Sequence, residues 1–265
     1  MSMTKRKFLV SFIGITILLV PFILIKKRIM KADSIPNTLT IKKNFAINNP
    51  ISISIIGDSW AYYADDRGLC KALDSLLAKS NITAHTRNCG VPGAKSRDIY
   101  CYLLSQEPPH PIHNLIESQT NYAILFCGIN DQNAQCGADF YSYHTFNILT
   151  SLVEANVTPI YIELPKWNIK KQYQKYRWWR YFSYKILCGI TSHQFDETAT
   201  TKMYRDAFYS KLAQSSIKAN VIFIKWETIK ANNIWADDLH LNKIGYHKLA
   251  EIIADSIQNH TISVK

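Results

Sequence analysis

From residue 51 to residue 258, short β-rich runs alternate with stretches of helical periodicity, and this alternation restricts the fold more than any other feature of the sequence. Residues 51–56 (ISISII), 82–88 (ITAHTRN), 122–127 (YAILFC), 157–164 (VTPIYIEL) and 221–226 (VIFIKW) read as strands. Residues 67–79, 95–106, 139–155, 197–218 and 242–258 read as helices; in 139–155, Phe140, Tyr143, Ile148, Leu149 and Leu152 recur at helical spacing. Strands this short and β-rich suit a sheet covered on both faces. The pattern therefore predicts an α/β domain: three-layer α/β/α, doubly wound, with a parallel sheet of about five strands. In such a sheet the loops leaving the strands' carboxyl ends gather along one edge, where ligands bind. Residues that follow successive strands are then neighbours in space.

Gly57-Asp58-Ser59 follows the first strand, and "NCGVPGAKS", with Gly90 and Gly93, follows the second. "GIND", Gly128 to Asp131, follows the third, and "WADDLHLNKIGY", with Asp237 and His240, precedes the last helix. Each piece has an ordinary explanation: turn glycines, an Asn-Asp pair capping the helix after it, a solvated loop. Together they support acyl transfer. A serine hydroxyl is a weak nucleophile and needs a base within hydrogen-bonding reach, which His240 can supply for Ser59. Asp237, three residues before His240, can orient the imidazole and stabilise its protonated form, whereas Asp238 is only two residues away and points more naturally elsewhere. An oxyanion needs preorganised donors, for which the backbone N–H groups of Ser59 and Gly93 and the side-chain amide of Asn130 are candidates.

These four blocks, "GDSW", "NCGVPG", "GIND" and "DDLHLNKIGY", resemble the Ser, Gly, Asn and His blocks of the SGNH/GDSL hydrolase family, in that family's order. The resemblance covers roughly residues 51–258. It implies Ser59 as nucleophile, Asp237 and His240 as the rest of the triad, and Gly93 and Asn130 as oxyanion donors, with Gly90 an alternative for the second block. It also implies a flavodoxin-like sheet ordered 2-1-3-4-5 and esterase activity without a cofactor. Trp60 departs from the smaller or aliphatic residue many relatives carry, and is expected to wall the substrate site. The expected substrates are acylated small molecules, glycans or lipids. The leading expectation is a serine esterase removing acyl groups, O-acetyl among them, from a glycan or envelope-related substrate. An acyltransferase using the same residues, and a glycan- or lipid-binding module on a retired hydrolase fold, are the alternatives.

Charge distribution narrows the partners. The chain of 265 residues carries a net charge of +11, which taken alone points to nucleic acid or an anionic surface. Residues 1–31 hold seven Lys/Arg and no acid, and residues 166–185 hold seven more and no acid. What remains has seventeen basic residues against 20 acidic ones. The body is mildly acidic, so a general nucleic-acid face is not expected.

The first basic block brackets "FLVSFIGITILLVPFILI", residues 8–25, a run that as a helix nearly spans a bilayer. "KKRIMK" follows it with no small-residue cleavage site, which favours an uncleaved anchor over a removed signal peptide. Residues 1–31 thus read as a membrane anchor, 32–50 as a polar tether and 51–260 as the hydrolase-like domain. The expected localisation is a single-pass membrane protein with its catalytic domain extracytoplasmic.

The second basic block, within 166–188, interleaves eight aromatics with its seven cations. It reads about equally as an interfacial helix on the same membrane and as a lid or packing helix, with a sugar-stacking surface as a third use. Six cysteines form no CxxC pair, and Cys127 reads as a small core residue. His110 and His113 in "EPPHPIH" lack a supporting acid or cysteine cluster, so they read as loop residues and no metal is expected. His247, in the last helix, is expected to be exposed.

Overall fold

The computed structural model describes residues 50–105, 108–134, 136–165, 197–229 and 233–263. The anchor read at 8–25, the tether through residue 49 and the insert at 166–188 lie outside the described residues. Among the described residues no helix is long and apolar enough to cross a membrane.

Five strands, β1 (Ile51–Gly57), β2 (Ala84–Gly90), β3 (Tyr122–Phe126), β4 (Thr158–Ile162) and β5 (Ile222–Ile224), form one parallel sheet in the order β2-β1-β3-β4-β5. This is the order that the family resemblance implied. The central strands are apolar because both faces are covered: Ile53, Ile55, Ile56, Ile124, Leu125 and Ile160 are all fully buried. Each such side chain contributes about 1.5–3 kcal/mol relative to an exposed one.

The helices are α1 (Ser59–Tyr62), α2 (Leu69–Lys79), α3 (Ser96–Leu104), α4 (Pro111–Glu117), α5 (Ile129–Asn133), α6 (Ala138–Glu154), α7 (Glu197–Ala213) and α8 (Lys243–Ser263). Helix α8 packs on α2, while α6 packs on both α3 and α7. These are the two layers that right-handed crossovers produce when a parallel sheet grows first to one side of its founding strand and then to the other. The reversal of strand order falls between β1 and β3, and β1 delivers Ser59 beside it.

Several boundaries differ from the sequence reading for local reasons. Strand β2 starts at Ala84, two residues late, because Asn81 takes a positive φ of 60° in the turn that ends α2. The helix read at 197–218 ends at Ala213; Ser215 then caps a separate 3-10 turn at Ser216–Asn220 by accepting the Ile217 N–H. The "EPPHPIH" stretch is not only loop. Pro111 opens α4 at a position where no N–H is needed, and His110 caps it through Nδ1, which accepts from Ile112 N at 3.1 Å. His113 is buried with Nδ1 2.8 Å from the Leu103 carbonyl oxygen. Among the described residues no group of three His, Cys, Asp or Glu side chains is placed to hold a metal ion. Cys127 lies in the core, and the His247 side chain is 58% exposed, both as the sequence indicated.

Candidate active site

Asp58 ends β1 and begins α1. Its backbone N–H donates to Phe126 O at 3.1 Å, which fixes the turn against β3. Its carboxylate accepts the Trp60 N–H at 2.9 Å, capping the helix. Ser59 therefore occupies the first helical position, where the backbone N–H has no partner within the helix.

The loop at 233–242 is folded by its own residues. Trp235 and Leu241 form an antiparallel bridge, Ala236 N donates to His240 O at 2.8 Å, and Asn242 N donates to Ile234 O at 2.8 Å. Inside this hairpin Asp237 Oδ1 accepts from Leu239 N at 2.7 Å and from His240 N at 2.6 Å. The aspartate thus shapes the turn that presents the histidine.

The two segments, 181 residues apart in sequence, meet. Ser59 Oγ lies 3.0 Å from His240 Nε2, and His240 Nδ1 lies 2.9 Å from Asp237 Oδ2. Partial burial of the Asp237 carboxyl works upward on its pKa, but hydrogen bonds from the His240 ring and from the backbone N–H groups of His240 and Leu239 outweigh it and hold the pKa below the ordinary value. The carboxylate is accordingly an acceptor only, so Nδ1 carries the imidazole proton and Nε2 is left to accept from the Ser59 hydroxyl.

The second and third blocks are bound to each other. Pro92 and Gly93 are the central residues of a turn closed by Ala94 N donating to Val91 O at 3.0 Å. Gly93 has φ +82°, the value position i+2 of a type II turn demands, and a Cβ there would meet nothing within 4 Å. Gly90 differs: a Cβ on it would fall 2.0 Å from Tyr62 N and 2.5 Å from Asp58 O. Gly90 thus lets β2 and α1 touch, and Gly93 has the open backbone. Asn130 Nδ2 donates one proton to Ala94 O at 2.9 Å and retains a second.

Asp131 does not cap α5, where Gly128 holds the cap position. Its carboxylate accepts from Ser96 N at 2.9 Å and from Ser96 Oγ at 2.6 Å, and so grips the far end of the Gly93 loop. Neither this role for Asp131 nor that of Ser96 was apparent from residue types alone. The available signal was no more than the serine three residues after Gly93, and it is the structure that shows it buried.

Trp60 is only 2% exposed. Its Nε1 donates to Leu239 O at 3.1 Å, its own carbonyl accepts from Tyr246 OH at 2.8 Å, and its ring packs against Phe126, Trp226 and Trp235. It is one wall of a small recess at the ends of β1, β3 and β4, together with Asp58, Phe126, Ile162 and Glu163. It also ties the Ser59 helix to the His240 loop, which the sequence reading did not anticipate.

Burial pushes the Asp58 carboxyl up to about 7, against the hydrogen bond from Trp60 N and with help from the charge of Asp131; burial pushes Asp131 up to about 6. Both values lie above the ordinary 3.8, so the folded protein retains protons that the unfolded chain releases. Stability then falls as the pH rises from about 4 to about 7. Asp58→Asn keeps an oxygen for the Trp60 N–H and removes the charge. It is expected to flatten this decline, gaining on the wild type by up to about 4 kcal/mol at pH 8, at about 1.4 kcal/mol per pK unit, and by little at pH 4. Urea unfolding at the two pH values measures the difference.

No family model and no curated protein matches the sequence. Solved structures do. A family 3 carbohydrate esterase of Clostridium thermocellum is 18% identical, with 82% of this chain and 99% of that one covered and a TM-score of 0.54. The psychrotrophic esterase EstA of a Pseudoalteromonas species is 16% identical over 79% of this chain and 98% of its own, with a TM-score of 0.52. A member of the lipolytic G-D-S-L family from Veillonella parvula is 14% identical over 76% and 94%, with a TM-score of 0.51. The chain has the fold of the GDSL lipolytic proteins and esterases.

Proposed function

We propose that the protein is a membrane-anchored serine esterase that hydrolyses acyl esters, O-acetyl esters included, of a glycan or envelope-related substrate. The observation that carries this reading is the continuous Ser59–His240–Asp237 relay, with contacts of 3.0 and 2.9 Å. Ser59 Oγ attacks the acyl carbon as its proton passes to His240 Nε2. The N–H groups of Ser59 and Gly93 and the free Asn130 Nδ2 proton receive the oxyanion. Collapse expels the alcohol, which takes the proton from Nε2. Water, deprotonated by the same nitrogen, then attacks the acyl-serine; the acyl–Oγ bond breaks, Ser59 Oγ takes the proton back from Nε2, and the acid leaves.

A glycan is favoured by what lies exposed beside these groups. Tyr62 is 49% exposed and Trp235 37%, and they sit on the two segments that carry Ser59 and His240. Flat aromatic surface of this kind suits a sugar ring. The fold shared with a carbohydrate esterase points the same way. Anchoring rests on the apolar run at 8–25 and its basic flanks.

The test uses the full-length chain in detergent against p-nitrophenyl acetate, a long-chain ester and acetylated oligosaccharides, with and without a saccharide acceptor. Release of free acetate from the oligosaccharides is expected. Inertness toward the whole panel, with no fluorophosphonate labelling of Ser59, overturns the hydrolase reading. Transfer to the acceptor in place of release converts it to a transferase. Asn130→Ala is expected to lower kcat by about a hundred- to a thousandfold, with a much smaller change in KM, as removal of one oxyanion donor does. Steady-state kinetics on p-nitrophenyl acetate measures the split.

A further inference from the structure

The two hydrogen bonds that hold the His240 ring, to Ser59 and to Asp237, leave from nitrogens in the ring plane. They set the direction of the ring and do little to stop it tilting about the line between its nitrogens. The Asp237 side chain at one end is itself 54% exposed. A contact on the ring face would oppose that tilt.

Past Tyr62, where α1 ends, residues 63–68 run on as hydrogen-bonded turns. Tyr63 N donates to Ser59 O at 3.0 Å, and Arg67 N donates to Tyr63 O at 3.0 Å. Ser59, Tyr63 and Arg67 therefore follow one another at helical spacing along one side of this segment. The Tyr63 ring meets the His240 ring in a T-shaped contact, with centroids 5.4 Å apart and an interplanar angle of 83°. The Arg67 guanidinium stacks on the Tyr63 ring, 4.4 Å from its centroid, and its Nη1 donates to Leu241 O.

We propose that Tyr63 and Arg67 are positioning residues for His240, a clamp built into the nucleophile's own helical segment. Tyr63 bears on the imidazole and resists its tilt. Arg67 holds Tyr63 by a cation–π contact and fixes the backbone directly after the histidine. Because the clamp and Ser59 share one continuous run of hydrogen-bonded turns, the nucleophile and its base keep their separation as a unit. The inference rests on the hydrolase reading above.

The test measures the second-order rate of fluorophosphonate labelling of Ser59, and kcat and KM for p-nitrophenyl acetate, on the full-length chain. Tyr63→Ala and Arg67→Met are expected to slow labelling and lower kcat by about 10- to 100-fold, the scale of a small misplacement of a catalytic group, with KM changed less than about twofold. Tyr63→Phe keeps the ring and is expected to stay within about threefold of the wild type. In a His240→Ala background, Tyr63→Ala is expected to have no further effect, since the clamp acts through the imidazole. Should Tyr63→Ala fail to fold, the half-buried Arg67→Met, alone and with His240→Ala, makes the same comparison. Wild-type rates in both variants, an equal loss with and without His240, or a rise in KM at constant kcat overturns the clamp alone, provided the wild type labels. A wild type that neither labels nor turns over overturns the hydrolase reading and the clamp with it.

Discussion

Ser59→Ala is expected to remove ester turnover by about ten-thousandfold to a millionfold, down to the residue contributed by the oxyanion donors and binding. On the proposed reading the proton that His240 Nε2 accepts is the one on Ser59 Oγ, 3.0 Å away, and nothing else stands in for it. His240→Ala is expected to cost a similar factor, and the double variant scarcely more, because the two groups act in one step. The fold is expected to survive, with unfolding free energy changed by no more than about 0.5–1 kcal/mol, since the hydroxyl is only partly buried and bears on the imidazole alone. Initial rates on p-nitrophenyl acetate, beside urea unfolding of the same samples, separate loss of chemistry from loss of structure. A variant that retains a tenth of wild-type turnover would show that another group supplies the nucleophile.

Gly90→Ala is expected to produce a large loss of stability for a single added methyl group. A Cβ at residue 90 would lie 2.0 Å from Tyr62 N, 2.5 Å from Asp58 O and 2.6 Å from Ala61 C, all of them backbone atoms. A flexible side chain could swing aside; a hydrogen-bonded helical turn cannot. Either β2 leaves its register with β1, where Gly57 pairs with Gly90, or α1 moves off the sheet. The expected cost is about 3 kcal/mol or more, at the upper end of overpacking penalties. Turnover should fall as well, because the turn displaced is the one that carries Ser59. Gly93→Ala is the control: its Cβ meets open space, and only the positive φ of +82° opposes it, at a cost of about 1–2 kcal/mol. Chemical denaturation of the two variants ranks them, and equal midpoints would contradict the close approach.

Much of the fold was legible because it depends on patterns that survive without coordinates. Ile-rich β1 and "YAILF" in β3 announce strands covered on both faces, and the alternation with helices leaves few topologies open. Short elements were harder to see. Helix α1 has four residues, too few for a periodic signal, and α4 hides behind prolines and histidines that also read as loop. In the site, Ser59, His240 and Asp237 stood out as a chemical set at strand ends, and they do meet. Tyr63, Arg67, Asp131 and Ser96 did not stand out. An aromatic, an arginine, an acid and a serine are common anywhere, and their significance lies in what they touch.

Residue type and spacing determined which groups this chain can bring to one edge of a sheet: a hydroxyl, an imidazole, a carboxylate and amide donors, in an order a parallel doubly wound domain can gather. Tertiary structure decided which of them meet and which pack elsewhere. Gly90 and Gly93 are three residues apart and identical in chemistry, yet one is pressed against the backbone of α1 and the other faces open space. Trp60 follows the serine, yet its indole is turned to the Leu239 carbonyl. The physical reason is that local patterns depend on neighbours along the chain, whereas burial, contact and the direction of a hydrogen bond depend on segments as far apart as Ser59 and His240.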